Sequence, residues 1–320
     1  MAASLYPRQP NDQIIDLRDW PQDDEHYPFA AGTKPKGLVR SPKDETREFL
    51  RPDHRYMFKY GDDWRRGQFW SEVIAYELSK LCDVEVPASF VALGGDGEGA
   101  GCIQELFVGG DDARKGARLV HGADLIQRGP GSFDQKVGRP HLLSTNVRIC
   151  RSYKVEGVLE GWAKIIAFDA LIGNTDRHPE NWGLLRTFSD EEERFELAPI
   201  YDNGTSLGYE VPEHKLIDRS SPEAITRYVN KGTHHIQEHR DDRKGLPHSA
   251  LCRIIRDMDS GVRDTIVRIA SIDLSEVDNI LDWCCDFEVD PAFTSERARF
   301  VRGLIEERRN QILASVEATL

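Results

Sequence analysis

The chain has 320 residues, of which 39% are hydrophobic and 30% charged, and its 42 Lys and Arg against 55 Asp and Glu give a formal net charge of −13. That length accommodates one large domain or two lobes with a core each. The acidity argues against a protein that holds duplex DNA by charge neutralisation, which needs a clustered basic face, so no direct nucleic-acid binding is expected. Six cysteines lack a Cys-x-x-Cys pair and the dense spacing of a secreted scaffold, which points to buried free thiols in a reducing compartment. The N-terminus carries no basic and then apolar leader, and no run approaches the ~18 apolar residues of a membrane span. A soluble, cytoplasmic protein without membrane association is expected.

Taken in chain order, residues 1–28 are polar, rich in Asp and Pro, and read as an extended lead-in with one short strand-like run at 14–17. Residues 29–107 read as a small lobe of strands with one helix. Within it, residues 55–60 alternate aromatic positions with Met57 and Lys59, the period of a strand. Residues 69–81 place Trp70, Ile74, Leu78 and Leu81 at helical spacing, and Pro87 follows to prevent continuation. A strand at 89–93, a Gly-rich turn at 94–101 and a strand at 102–108 complete the lobe. Residues 110–152 are Gly-rich and weakly periodic, and are expected to be a loop region bearing on substrate or regulation.

Residues 108–320 read as a larger, mainly helical lobe. A long apolar helix over 156–172 buries Val158, Leu159, Trp162, Ile165, Ile166 and Phe168. Two strands, 182–188 and 194–200, are joined by the polar hairpin loop 189–193. Their antiparallel pairing returns residue 202 to the neighbourhood of residue 181. Beyond 220 the pattern is helical, with candidates at 222–229, 249–258, 262–269, 275–284 and 296–320. His234, His235 and His239 allow an i, i+4 pair, but the surrounding segment 231–245 has no Cys, and a polar loop is the simpler reading than a metal site.

Three positions carry the chemistry. Asp176 is followed five residues later by Asn181, and Asp202 opens a Gly turn ending at Gly204. Phosphoryl transfer needs mainly positioning and charge neutralisation, and this order of an Asp base, an Asn metal ligand and an Asp-x-Gly metal ligand is a kinase arrangement. Asp176 is then the base that orients the acceptor hydroxyl, while Asn181 and Asp202 hold the metal. His178, inside the same loop, reads as a hydrogen-bonding support for Asp176. Lys59 is the candidate for the lysine that pairs the nucleotide's phosphates, with Glu72 on the next helix as its partner. Glu77 lies five positions further, about 140° around the helix, so one of the two acids faces the cleft. Upstream, Gly32 and Thr33 with Lys34 and Lys36 form a turn whose amides and ammonium groups suit phosphates.

These residues make the chain resemble the HipA-type serine/threonine kinases from about residue 29 to the final helices. The likeness runs through Ala31-Gly32-x-x-x-Lys36, Lys59, Glu72-x-x-Ala75-x-x-Leu78, Gln104-Glu105-x-Phe107, Asn174-Thr-Asp-Arg-His-x-x-Asn181 and Tyr201-Asp-Asn-Gly204. The resemblance implies an α+β, bilobal, protein-kinase-like fold with ATP and Mg2+ as cofactors. It implies adenine held at a hinge around Glu105 to Phe107 and His178 among the nucleotide-site residues. It also implies a protein Ser/Thr hydroxyl as acceptor, and a toxin–antitoxin role with a DNA-binding antitoxin partner. Two features depart from the family pattern. The phosphate loop there commonly begins with a serine that is autophosphorylated, where this chain has Phe29, and the lead-in is expected to be too short for the extra N-terminal subdomain of longer members. Asp-Arg-His-x-x-Asn also resembles the catalytic loop of phosphatidylinositol kinases, so a lipid or small-molecule acceptor is the alternative within enzymes. A nucleotide-binding interaction module is the alternative outside them.

Overall fold

Strand β3 (Arg55–Tyr60) lies inside a sheet, with β2 (Lys36–Arg40) on one side and β5 (Ala100–Glu105) on the other, both antiparallel to it. An interior strand covered on both faces has no solvent side, which is why Tyr56, Met57, Phe58 and Lys59 are all buried despite the alternation in their sequence. This computed structural model describes residues 6–21, 36–61, 63–95, 99–108, 116–129, 131–189 and 192–317. The sheet is completed by β4 (Ser89–Leu93), antiparallel to β5, and by β1 (Ile15–Asp16), a two-residue strand parallel to β4, giving the order β1-β4-β5-β3-β2. The last strand begins at Ala100 rather than at residue 102, because Ala100 and Gly101 already pair with Leu93 and Ala92.

Helix α1 (Phe69–Cys82), preceded by a 3-10 turn at Asp63–Gln68, is buried on nearly every side, and Asp83 in the left-handed region ends it by donating its N–H to Ser79. Trp70 on α1 packs against Phe287 and Phe293, and its indole N–H donates to the carbonyl of Pro291 at 3.1 Å. Helix α1 is therefore one link between the sheet lobe and the far end of the chain, and Gln9, which bonds Val91 of β4 and accepts from the Trp283 indole, is another.

Residues 110–152 depart from the loop expectation among the part that is described. They hold β6 (Arg118–His121), α2 (Gly122–Gln127) and α3 (Leu143–Ser152). On α3 the buried set is Leu143, Asn146, Val147 and Cys150. This is a helical i, i+3, i+4, i+7 face hidden from a hydrophobicity reading by its asparagine, whose amide faces His141 at 2.8 Å.

Helix α4 (Val158–Ile172) is apolar around most of its circumference and bounded by two left-handed glycines, Gly157 (φ 57°) and Gly173 (φ 70°). The hairpin β7 (Gly183–Ser189) and β8 (Glu192–Leu197) pairs Leu184 with Leu197 and adds β6 as a third strand. After it come a 3-10 turn at Glu213–Lys215, then α5 (Leu216–Arg219), α6 (Pro222–Val229), α7 (His248–Met258), α8 (Arg263–Ala270), α9 (Leu274–Cys285) and α10 (Ser295–Glu317). Segment 231–247 is non-helical, so the i, i+4 histidine pair does not form. The fold is α+β: a sheet lobe with one buried helix, and a larger helical lobe carrying its own three-stranded sheet. One apolar core runs from Ile15 and Val39 through α1 and α4 to Val316. Among the described residues no helix is long and apolar enough to cross a membrane.

Candidate active site

Lys59 projects from β3 under cover of the sheet lobe, 8% exposed, and its Nζ is 2.7 Å from Oε1 of Glu72 on α1. Burial works to lower the lysine's pKa, but the charges of Glu72 and Asp202 outweigh it and the net direction is upward, so the ammonium form is secured. Glu77 faces elsewhere and holds Arg8 and Lys80, which leaves Glu72 as the acid of the cleft. The other oxygen of Glu72 accepts from Gln104 Nε2 at 3.2 Å and from the backbone N–H of Asn203 at 3.0 Å. A buried carboxylate with this many donors is held in one orientation. It ties the lysine strand to the turn that contains Asp202.

The loop carrying Asp176 is built by the end of α4. Gly173 in the left-handed region returns its N–H to Asp169, Asn174 N–H does the same at 2.9 Å, and the helix cannot continue. Asn174 Oδ1 then accepts the N–H of Asp176 at 2.9 Å, a local Asx turn. The carbonyl of Asp176 accepts from His178 N–H at 2.7 Å and from the side-chain amide of Asn181 at 2.8 Å. His178 Nδ1 accepts from Glu180 N–H at 3.2 Å, so this histidine braces the loop. Asp176 itself is half-buried, with Thr205 Oγ1 3.5 Å from its Oδ2. Its carboxylate can therefore meet both a protein hydroxyl and solvent.

Asp202 sits at φ 54°, an αL conformation that Asp tolerates better than most residues, with its Oδ1 3.9 Å from Lys59 Nζ. The side chain of Asn181 commits its amide N–H to Asp176, which leaves its carbonyl oxygen available. Asn181 Oδ1 and the Asp202 carboxylate are hard oxygen donors. They fit Mg2+, which keeps several waters and phosphate oxygens rather than filling its shell with protein groups. Among the described residues no cluster of three or more His, Cys, Asp or Glu side chains could hold a metal alone.

Arg177 brings these two ligands together. It is 1% exposed, and its guanidinium donates to both oxygens of Asp169 at 3.0 and 2.8 Å, to Asn203 Oδ1 at 2.7 Å, to the carbonyl of Asn181 at 2.8 Å and to the carbonyl of Tyr201. Burial alone would raise the Asp169 pKa, yet the adjacent charge of Arg177 and the hydrogen bonds from His234 and Arg177 hold it down to about 2. Sequence reasoning missed Asp169, Arg177 and Asn203 as site residues. A signal existed for Asp169, which is the only charged residue in the apolar run 165–172.

The remaining predicted positions are placed as follows. Gly32, Thr33 and Lys34 lie outside the described residues, and Lys36 begins β2 opposite Lys59. Glu105 turns its carboxylate to Tyr6, Arg51 and His54, and its backbone N–H donates to Ala88, so its side chain is engaged on the side of those residues. Phe107 stacks at 5.6 Å on Tyr201 and joins Leu38, Leu106, Leu119, Leu185 and Ala198 in an apolar cluster between the two sheets.

The model of the HipA-like C-terminal domain matches residues 29–266. The serine/threonine-protein kinase CtkA of Helicobacter pylori is 26% identical over 156 residues, 48% of this chain and 44% of that protein, so the match spans less than half of the relative's length. The crystal structure of the H. pylori proinflammatory kinase CtkA superposes with a TM-score of 0.70 at 18% identity, covering 96% of this chain and 100% of that one. A Shewanella oneidensis complex of HipA, HipB and operator DNA aligns with a TM-score of 0.48 at 14% identity over 93% of this chain and 67% of that one. The likeness to CtkA shows the bilobal kinase-like fold.

Proposed function

The chain belongs to the HipA-like C-terminal domain family, and from that premise we propose that it transfers the γ-phosphoryl group of ATP, with Mg2+, to a serine or threonine hydroxyl of a protein. The observation that carries this reading is the convergence of Lys59, Glu72, the loop pair Asp176 and Asn181, and Asp202 from four separate segments on one cleft. Bound Mg-ATP supplies the electrophilic phosphorus and a divalent charge against the developing anion. Everything else is the work of the chain. Lys59, held as an ammonium by Glu72, faces the phosphates. Asn181 and Asp202 offer the metal two oxygens. Asp176 orients the acceptor hydroxyl and takes its proton. The apolar cluster around Phe107 and Tyr201 receives the base.

The test is transfer of labelled phosphate from ATP to proteins of a cell extract, with the phosphosite identified by mass. Asp176→Ala is expected to lower transfer by ~10²–10⁴-fold while ATP binding persists, because this carboxylate acts on the acceptor. Asp202→Asn is expected to weaken Mg2+-dependent ATP binding instead, because it removes a charge from the metal site. Undiminished transfer by Asp176→Ala would sink the base assignment, and unchanged Mg-ATP affinity of Asp202→Asn the metal assignment.

A further inference from the structure

The histidine-containing segment after α6 gathers, among the described residues, no group of three or more metal-ligating side chains, but one of its members reaches the cleft from behind. His234 is 1% exposed, and its Nε2 lies 3.1 Å from Oδ2 of Asp169. The N–H of Ile236 donates to His234 Nδ1 at 3.1 Å. An Nδ1 that accepts leaves the proton on Nε2, so His234 donates to Asp169 as a neutral imidazole of fixed tautomer. The ring is held by the segment's own pairing: His234 N–H donates to Leu246, and Leu246 N–H to Ile236, each at 2.8 Å. His248, packed edge-on against His234, donates to the carbonyl of Asn174 at 2.8 Å.

We propose that His234 is a positioning residue for phosphoryl transfer, an assignment that rests on the phosphotransfer reading above. Its Nε2–H fixes the Asp169 carboxylate, Asp169 orients Arg177, and Arg177 ties Asn181 to the turn of Tyr201, Asp202 and Asn203. The geometry leaves Arg177 little freedom, since its guanidinium has five N–H donors and five contacts are made by them. Two of those contacts depend on the rotation of the Asp169 carboxylate, and His234 is the third donor that sets that rotation. From Asn203 the chain of contacts continues through Glu72 to Lys59. His234 thus stands at one end of a buried polar path that has the phosphate lysine at the other. Groups outside the direct ligands commonly govern metal affinity in this manner.

The experiment measures ATP binding by calorimetry as Mg2+ is titrated, for wild type, His234→Leu and His234→Gln, with folding of each checked by thermal melting. His234→Leu fills the space without a donor and is expected to raise the Mg2+ needed for half-maximal binding by ~10–100-fold, with magnesium-free ATP binding unchanged. In the transfer assay it is expected to lower kcat with little change in the acceptor KM. His234→Gln, which offers a side-chain N–H, is expected to stay near the wild-type Mg2+ requirement. The assignment is overturned if His234→Leu does not fold, if its Mg2+ requirement does not move, or if His234→Gln is as impaired as His234→Leu. Wild-type protein that binds no Mg-ATP would instead remove the phosphotransfer reading, and this assignment with it.

Discussion

Asp169 and Arg177 form an ion pair with side chains 0% and 1% exposed. A buried pair of this kind contributes little relative to apolar residues of the same shape, but breaking it leaves a charge stranded in the interior. Asp169→Asn is accordingly expected to cost ~3–5 kcal/mol of stability, read from urea unfolding at neutral pH. The pH dependence has a definite sign. The folded carboxyl titrates at about 2, below its unfolded value of ~3.9. The stability contributed by the carboxylate is therefore fully present above pH ~4 and is lost as the pH falls through about 2. The gap between the two proteins should narrow over that window and stay level from pH 5 to 8 on account of this group. At this scale Asp176, Asn181 and Asp202 were legible because spacing along one chain reports them. Glu72 was read as the partner of Lys59 with Glu77 as its rival, and the 2.7 Å contact bears this out, although two acids on one helix differ only in what the fold places opposite them. Arg177 was still less visible: an arginine beside an aspartate in sequence gives no sign that it makes five hydrogen bonds to four residues.

Helix α4 shows how an element aims a site. Its apolar run fixes it in the core, and Gly173 ends it at the point where the chain must turn toward Asp176. Gly173 adopts φ 70°, and a Cβ there would come within 2.4 Å of the Arg308 guanidinium carbon. Gly173→Ala is expected to cost at least ~1–3 kcal/mol, the cost of a non-glycine residue in the left-handed region, with a further loss from displacement of Arg308. Urea unfolding measures the stability and the transfer assay the expected fall in turnover. The same helix was readable from its hydrophobic pattern to within two residues, since a buried helix with glycines at both ends advertises its limits. Helix α3 was not. Its buried face includes Asn146, and a polar residue inside the protein breaks the periodicity on which a sequence reading depends.

At the scale of the whole molecule, α1 links the two lobes, carrying Glu72 to the cleft and Trp70 to Phe287 and Phe293 near the opposite end of the chain. Because the apolar core is continuous across both lobes, the protein is expected to unfold in one step, with coincident near- and far-ultraviolet circular dichroism transitions. Trp70→Ala should lower that single transition by ~3–5 kcal/mol. Two separated transitions would show that the lobes hold themselves independently. The sequence by itself supplied the candidate groups, the order of their segments and the family likeness, since each of these is a matter of residue type and local spacing. Tertiary structure alone decided that Arg177 clamps the 201–203 turn to Asn181 and that His234 stands behind Asp169. Those partners lie far apart along the chain, and burial makes an unpaired polar group costly enough that only the folded arrangement selects them.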